Sequence, residues 1–267
     1  MTALPQGNKS TVQLGPDGES VIKRYNDNGD PREKCKREVA FYRMYGASEL
    51  LPPLLDSGED WIRVGLVTED RLSDVGVEDR GRFTRSYARA LAAIFADAAV
   101  PDTAALEACR AGSARVTRNR VIESLLRYAS AQPQSAILDA IRFSVTRVVL
   151  TRDLLIKLDW NSGNVFVADG RVARFIDFEQ AYVGTAEMLT GAVLLNPDFD
   201  AKVLFAELAN AGMSAVGAAE IVHYMNLAFA QVLLDSVQRA GRPWPTERLE
   251  EAYRGHVYAR HIELMDG

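Results

Sequence analysis

With two cysteines and three histidines in 267 residues, the sequence leaves little material for disulfides, thiol chemistry or histidine-based metal sites. Cys35 and Cys109 form no CxxC pair and no zinc-like spacing, so structural disulfides are not expected and a reducing compartment is. His223, His256 and His261 come late in the chain with no carboxylate or cysteine to complete a metal set, and they read as structural or surface residues. A Gly-x-Ser-x-Gly elbow is missing as well, which argues against a Ser-His-Asp hydrolase. No apolar run reaches the roughly 18 residues a membrane span requires. The opening MTALPQGNKS lacks the apolar core of a signal peptide. The expectation is a cytoplasmic protein with no membrane partner. A basic surplus is also absent: the formal net charge is -5, which counts against a nucleic-acid partner and sits better with cationic or neutral ones.

The composition itself, 48% apolar and 25% charged, is that of a globular protein with an ample core. The first quarter reads as sheet with one helix. Thr11 to Leu14 and Ser20 to Tyr25 flank Gly15-Pro16-Asp17-Gly18, a turn signal that predicts a hairpin. Asp30-Pro31-Arg32-Glu33 supplies an N-cap, a proline at the first helical position and an early acid, so a helix is predicted to Tyr45 with Gly46 as its stop. Cys35, Val39 and Tyr42 form its buried stripe, with Glu38 beside it. Strands follow at Leu54 to Asp56 and Trp61 to Thr68. From Asp74 the periodicity is helical, over Arg82 to Asp97, Asp102 to Ala111, Val116 to Ser130 and Ser135 to Leu150, and again after Glu187. One interruption is predicted, a hairpin from Asn164 to Ile176 turning on Asp169-Gly170. The fold class is therefore α+β. A small β-rich N-lobe (1–70) is joined through a linker near Glu69 to Asp74 to a large, mainly helical C-lobe (71–267).

Four features occur in the order phosphoryl transfer needs. Lys23 stands late in a strand, from which an ammonium can neutralise nucleotide phosphates. Glu38 on the next helix is placed to pair with it. Asp159 and Asn164 lie five apart in a loop that enters the hairpin, and Asp177 follows where the hairpin ends. Because the hairpin folds back, Asn164 and Asp177 are predicted neighbours able to offer oxygen ligands to Mg²⁺. Asp159 can then accept the proton of an attacking hydroxyl. Singly, these residues are more simply turn-formers, caps or solvated charges; together, at this spacing, they point to one site.

On these motifs, and most specifically on Asp159 to Glu179, nearly the whole chain resembles the aminoglycoside phosphotransferase and choline kinase group of the protein-kinase-like superfamily. That resemblance implies a bilobal kinase-like fold and an ATP- and Mg²⁺-dependent transfer of the γ-phosphoryl group to a hydroxyl of a small molecule. An aminoglycoside-like or amino-alcohol acceptor would suit the acidic balance, with Glu187, Asp198, Asp200 and Glu250 as anionic candidates. By motif match, Asp159 is the catalytic base, Asn164 and Asp177 the metal ligands, and Lys23 the phosphate-binding lysine held by Glu38. Gly65 to Glu69 corresponds to the interlobe hinge, with Val67 and Glu69 at the adenine. Gly7-Asn8-Lys9-Ser10 corresponds to the loop over the phosphates, placing Ser10 there.

The sequence departs from the pattern in places. Lys157 stands where the family has His, and Leu158 where many protein kinases have Arg. Asn161 and Glu179 replace the Lys and Gly of protein kinases, and no Ala-Pro-Glu follows. Gly184-Thr185-Ala186-Glu187 matches the family's Gly-Asp-Pro stretch only in part, and the Asp that usually follows is absent. These differences turn the acceptor away from protein. An atypical bacterial protein kinase and a nucleotide-binding regulator without turnover are the alternative readings.

Overall fold

The computed structural model describes residues 10–26, 30–75, 79–96, 121–132, 134–148, 154–157 and 162–266. Strands β1 (Ser10–Leu14) and β2 (Ser20–Tyr25) form the expected hairpin, with Leu14 opposite Val21 and Ser10 opposite Tyr25. Asp17 organises the turn: its Oδ1 accepts from the backbone amides of Glu19 and Ser20 and from the Ser20 hydroxyl. Gly18 takes the left-handed φ of 72° that closes it. β3 (Leu54–Ser57) and β4 (Trp61–Gly65) complete an antiparallel sheet of order β1-β2-β4-β3. β4 thus ends three residues before the predicted Thr68, where the chain leaves the sheet.

Helix α1 (Pro31–Tyr45) begins as the sequence dictates, the Asp30 carboxylate accepting from the Arg32 and Glu33 amides. Its end differs from the expected glycine stop. Gly46 keeps a right-handed conformation, and a Cβ there would lie 2.2 Å from the Tyr42 carbonyl oxygen. Close approach rather than a left-handed turn is what requires the glycine. Cys35 is buried against the sheet, its thiol near the Gly58 and Trp61 carbonyls, whereas the buried Phe41, Tyr42 and Tyr45 meet Phe178 and Phe95 of the helical region.

Beyond the hinge the structure is mainly helical: α2 (Arg80–Ala96), α3 (121–131), α4 (Ala136–Arg147), α5 (Ala186–Leu194), α6 (Ala201–Asn210), α7 (Ala218–Ala240), α8 (Thr246–Tyr253) and α9 (Ala259–Met265). A π turn over Arg254–Tyr258 joins the last two. α7 is the central post, packed against α4 and α5. It buries Ile221, Met225, Phe229 and Leu233 along one face, at helical spacing. Gly191 lets α5 come close, since a Cβ there would sit 2.7 Å from the Tyr224 backbone. Asn196-Pro197, Gly212 and Arg242-Pro243, residues that disfavour helix, all fall between helices. The predicted helix from Asp102 to Ala111, with Cys109, lies outside the described residues.

One expectation needs correction: the hairpin is not the sole interruption of the helical region. The hairpin itself, β7 (Val165–Ala168) and β8 (Arg171–Phe175), turns on Asp169 and Gly170, both at positive φ. Three further strands accompany it. β5 (Asp70–Arg71) adds to the edge of β7, and β6 (Leu154–Ile156) pairs with β9 (Tyr182–Gly184). Two or three residues are too few for a period-2 signal, so pairing rather than local pattern makes these strands. Their placement matters, because β6 leads into Lys157 and Asp159 while β9 follows Asp177 and Glu179.

Candidate active site

Lys23 lies on the same face of β2 as Tyr25, since alternate residues of a strand share a face. Its Nζ is 2.7 Å from Glu38 Oε2, 2.5 Å from Asp177 Oδ1 and 3.3 Å from Glu179 Oε2. Burial alone would push the Lys23 ammonium toward neutrality. The carboxylates of Glu38, Asp177 and Glu179 outweigh it and hold the group protonated, well above its ordinary range. The contact with Asp177 closes a gap of 154 residues in sequence. It ties the small sheet to the helical lobe at one point.

Glu38 is the hub. Its side chain, 2% exposed, accepts from Lys23 and from the Tyr25 hydroxyl at 2.5 Å through Oε2, and from the Phe178 backbone amide at 3.1 Å through Oε1. Burial, and then the Glu38 charge, drives the Tyr25 and Tyr42 phenols far up, so both stay neutral and Tyr25 keeps its proton to donate. Phe178 is clamped from α1, stacked at 4.0 Å on Phe41 and edge-on to Tyr42 at 5.4 Å. Helix α1 and the Asp177-Phe178 segment are therefore fastened by a hydrogen bond from the Phe178 amide to Glu38 and by an aromatic stack, with Lys23 bridging Glu38 and Asp177.

The hairpin brings the Asn164 backbone against Ile176, the residue before Asp177. Ser162–Asn164 form a short 3-10 turn, and the Ile176 amide donates to the Asn164 carbonyl at 3.1 Å. Asp177 sits at φ 69°, a left-handed conformation that an Asp adopts at some cost. Its carboxylate is 33% exposed whereas those of Glu38 and Glu179 are 2% and 4%, so only Asp177 opens toward a ligand. Oxygens of these three residues lie within 4.8 Å of one another. The donors are all oxygen, the chemistry Mg²⁺ prefers, so the residues present fit that ion.

Other predicted residues fall as follows. Ser10 is buried at the start of β1 opposite Tyr25, and Gly7 to Lys9 lie outside the described residues. Val67 is half-buried in the segment between β4 and β5 and makes no backbone hydrogen bond to another described residue. Glu69 Oε2 accepts from the Thr68 amide. Asp159, with Leu158, Trp160 and Asn161, lies outside the described residues. Of the anionic acceptor candidates, Glu187 is engaged by the Ala215 amide and Asp200 caps α6 through the Val203 amide. Asp198 and Glu250 stand exposed.

Sequence reasoning missed the parts played by Tyr25, Phe178 and Lys157. Tyr25 was findable, standing two residues from Lys23 on one strand face. Lys157 was marked only by standing where the family has His, with nothing to foretell its contact; it is 1% exposed and donates to the Ile176 carbonyl at 3.0 Å.

A small antiparallel sheet with one helix, a helical lobe, and a lysine–carboxylate cluster binding one to the other define a bilobal, protein-kinase-like fold. The model of the phosphotransferase enzyme family matches residues 1–188, and the chain belongs to that family. It is a kinase-type phosphotransferase. Solved structures agree on the fold. An ADP-bound aminoglycoside phosphotransferase, APH(2'')-Ib, is 15% identical with a TM-score of 0.57, covering 98% of this chain and 93% of that one. A thermostable mutant of aminoglycoside phosphotransferase APH(4)-Ia, in ternary complex with AMP-PNP and hygromycin B, is 14% identical with a TM-score of 0.63, covering 97% and 92%. Macrolide 2'-phosphotransferase MphH from Brachybacterium faecium, as apoenzyme, is 15% identical with a TM-score of 0.59, covering 94% and 89%. No curated protein matches the sequence.

Proposed function

We propose that this enzyme transfers the γ-phosphoryl group of ATP to a hydroxyl of a small cationic or neutral acceptor, with Mg²⁺ as cofactor. The observation that carries the reading is Lys23 held between Glu38 and Asp177 at 2.7 and 2.5 Å. A lysine kept charged by carboxylates from both lobes is prepared for phosphate oxygens, and it sits beside the acid suited to a cation. The nucleotides named for the similar structures, ADP and AMP-PNP, add support. Aminoglycoside and macrolide phosphotransferases among those structures suggest a polyhydroxylated acceptor.

In this reading residues 1–70 cover the nucleotide and residues 71–267 supply the catalytic loop and the acceptor side. The backbone at Val67 and Glu69 receives the adenine. Ser10 borders the loop over the phosphates. Lys23, oriented by Glu38 and Tyr25, neutralises phosphate charge. Asn164 and Asp177 would hold Mg²⁺, which when bound draws negative charge off the phosphates. Asp159 accepts the proton of the acceptor hydroxyl as its oxygen attacks in line. Asp198 and Glu250, the exposed acids, are the better candidates to meet a cationic acceptor. The reaction belongs to the cytoplasm, with no nucleic-acid or membrane partner. Incubation with γ-labelled ATP and a fractionated metabolite extract tests the whole reading. Label should pass to a small molecule, and to nothing in an Asp159→Ala variant. Label on macromolecules, or unchanged turnover in that variant, would sink it.

A further inference from the structure

Lys157 is among the most deeply buried side chains of the described protein, at 1% exposure. An ammonium taken out of water is costly unless its protons find acceptors. A leucine or methionine would fill the same space at no such cost, so the charge itself calls for an account. Lys157 Nζ donates to the Ile176 carbonyl at 3.0 Å and lies 5.3 Å from the centre of the Phe178 ring. It therefore grips the chain on both sides of Asp177. From the opposite side Glu38 accepts from the Phe178 amide at 3.1 Å. Between these two charged grips Asp177 is held at φ 69° with its carboxylate against Lys23.

The charge balance points the same way. Lys23 faces Glu38, Asp177 and Glu179, three carboxylates for one ammonium. Lys157 brings a second positive charge to the backbone that carries two of them. It also follows β6 directly and precedes Asp159 by two positions in sequence.

We propose that Lys157 is a positioning residue for phosphoryl transfer: its buried ammonium fixes the Ile176–Phe178 backbone and so aims the Asp177 carboxylate. The inference rests on the reading of Asp177 as a metal ligand. Removing a partner that orients a ligand typically lowers metal affinity about 10- to 100-fold.

The test uses the full chain with Lys157→Met, Lys157→Arg and Asp177→Asn. Mn²⁺ binding in the presence of ADP is followed by its paramagnetic resonance, ADP affinity is measured without metal, and hydrogen exchange is followed at residues 176–179 in the ligand-free protein. Lys157→Met should weaken Mn²⁺ binding about 10- to 100-fold and lower kcat in step. Exchange at 176–179 should quicken, while metal-free ADP affinity stays within about twofold. Lys157→Arg, which keeps the charge, should restore part of each loss; if Lys157→Met does not fold, the same measurements on Lys157→Arg must lie between wild type and Asp177→Asn. Wild-type Mn²⁺ affinity and exchange in Lys157→Met, whatever its melting temperature, would overturn the inference. If Asp177→Asn loses Mn²⁺ while Lys157→Met keeps it, positioning alone fails; if Asp177→Asn keeps Mn²⁺, the reading beneath it fails as well.

Discussion

Lys23 with Glu38 and Asp177, and Ser144 with His223, Asn226 and Tyr253, are both polar clusters walled by apolar side chains. The first is made of formal charges drawn from two lobes. The second is made of neutral groups on α4, α7 and α8 of one lobe. In the second, the Ser144 hydroxyl donates to the Ala140 carbonyl at 2.8 Å and accepts from Asn226 Nδ2 at 2.9 Å. Its single proton is thereby used, so His223 Nδ1, 3.1 Å away, is the donor of that pair. Tyr253 donates to Asn226 Oδ1 at 3.0 Å. Such a network satisfies itself and locks three helices. The charged cluster gains little net stability, because desolvating its ions offsets most of their attraction. What it holds instead is a lysine and a half-open carboxylate in fixed relation, ready for charge that arrives with a ligand.

The two clusters should therefore fail differently. The largest effect should come from the open end of the charged one. Asp177→Ala should lower kcat by about 10³-fold or more if it is the proposed metal ligand, and Asp159→Ala, at the proposed base outside the described residues, should do the same. Melting temperatures should move little, since the Asp177 side chain is a third exposed and its loss relieves crowding of carboxylates around Lys23. A variant that unfolds without losing specific activity would reverse the assignment.

Next in size is the closed end. Glu38→Leu takes from Lys23 one of its three carboxylates and leaves the Tyr25 hydroxyl and the Phe178 amide without their acceptor inside the protein. Breaking a buried ion pair from one side typically costs about 3–5 kcal/mol. The double change Lys23→Met with Glu38→Leu should recover much of that stability and none of the activity. Urea denaturation and turnover, measured side by side, separate the two.

In the neutral cluster the reverse split is expected. Asn226→Ala leaves Tyr253 and Ser144 each short of a partner and should cost about 1–3 kcal/mol. Phosphoryl transfer, measured below the melting transition, should stay within about twofold of wild type. A large loss of turnover with full stability would erase the distinction between the clusters.

The charged cluster was also the more legible of the two, and the reason is physical. Lys23 and Glu38 could be paired because a strand lysine and a capped helix are each recognisable locally. Asn164 and Asp177 could be related because Asp169-Gly170 fixes a two-residue turn that returns the chain antiparallel, whereas the one-residue register shift between Phe166 and Val167 carried no local signal. Nothing local announces Lys157 against Ile176 or Glu38 against the Phe178 amide, which are contacts across 19 and 140 residues to backbone atoms. The strands β5, β6 and β9 escaped for a related reason, being two or three residues long and defined by partners rather than pattern. Ser144, His223 and Asn226 read only as ordinary helix residues, because any helix can carry a serine or histidine and only packing reveals which face meets another.

The smallest effect separates the clusters by pH. His223 has its imidazole held below the ordinary value, first by burial and then by the nearby Arg147 guanidinium, with burial lowering His261 as well. A lowered histidine means that the unfolded chain binds protons that the folded chain refuses. Stability is then complete above the unfolded value of about 6.5 and declines as pH falls through it toward the folded value. Lys23 is raised instead, so its contribution is fully present below the ordinary lysine range and would be lost only in strong alkali. Between pH 7.5 and 5.5 the charged cluster should therefore be indifferent through Lys23, while the neutral one weakens. The wild-type melting temperature should drop over that interval. His223→Asn, which can still donate to Ser144, should show a shallower drop, leaving the part due to His261. Equal slopes in the two proteins would mean that His223 is not what the helical lobe protects from protonation.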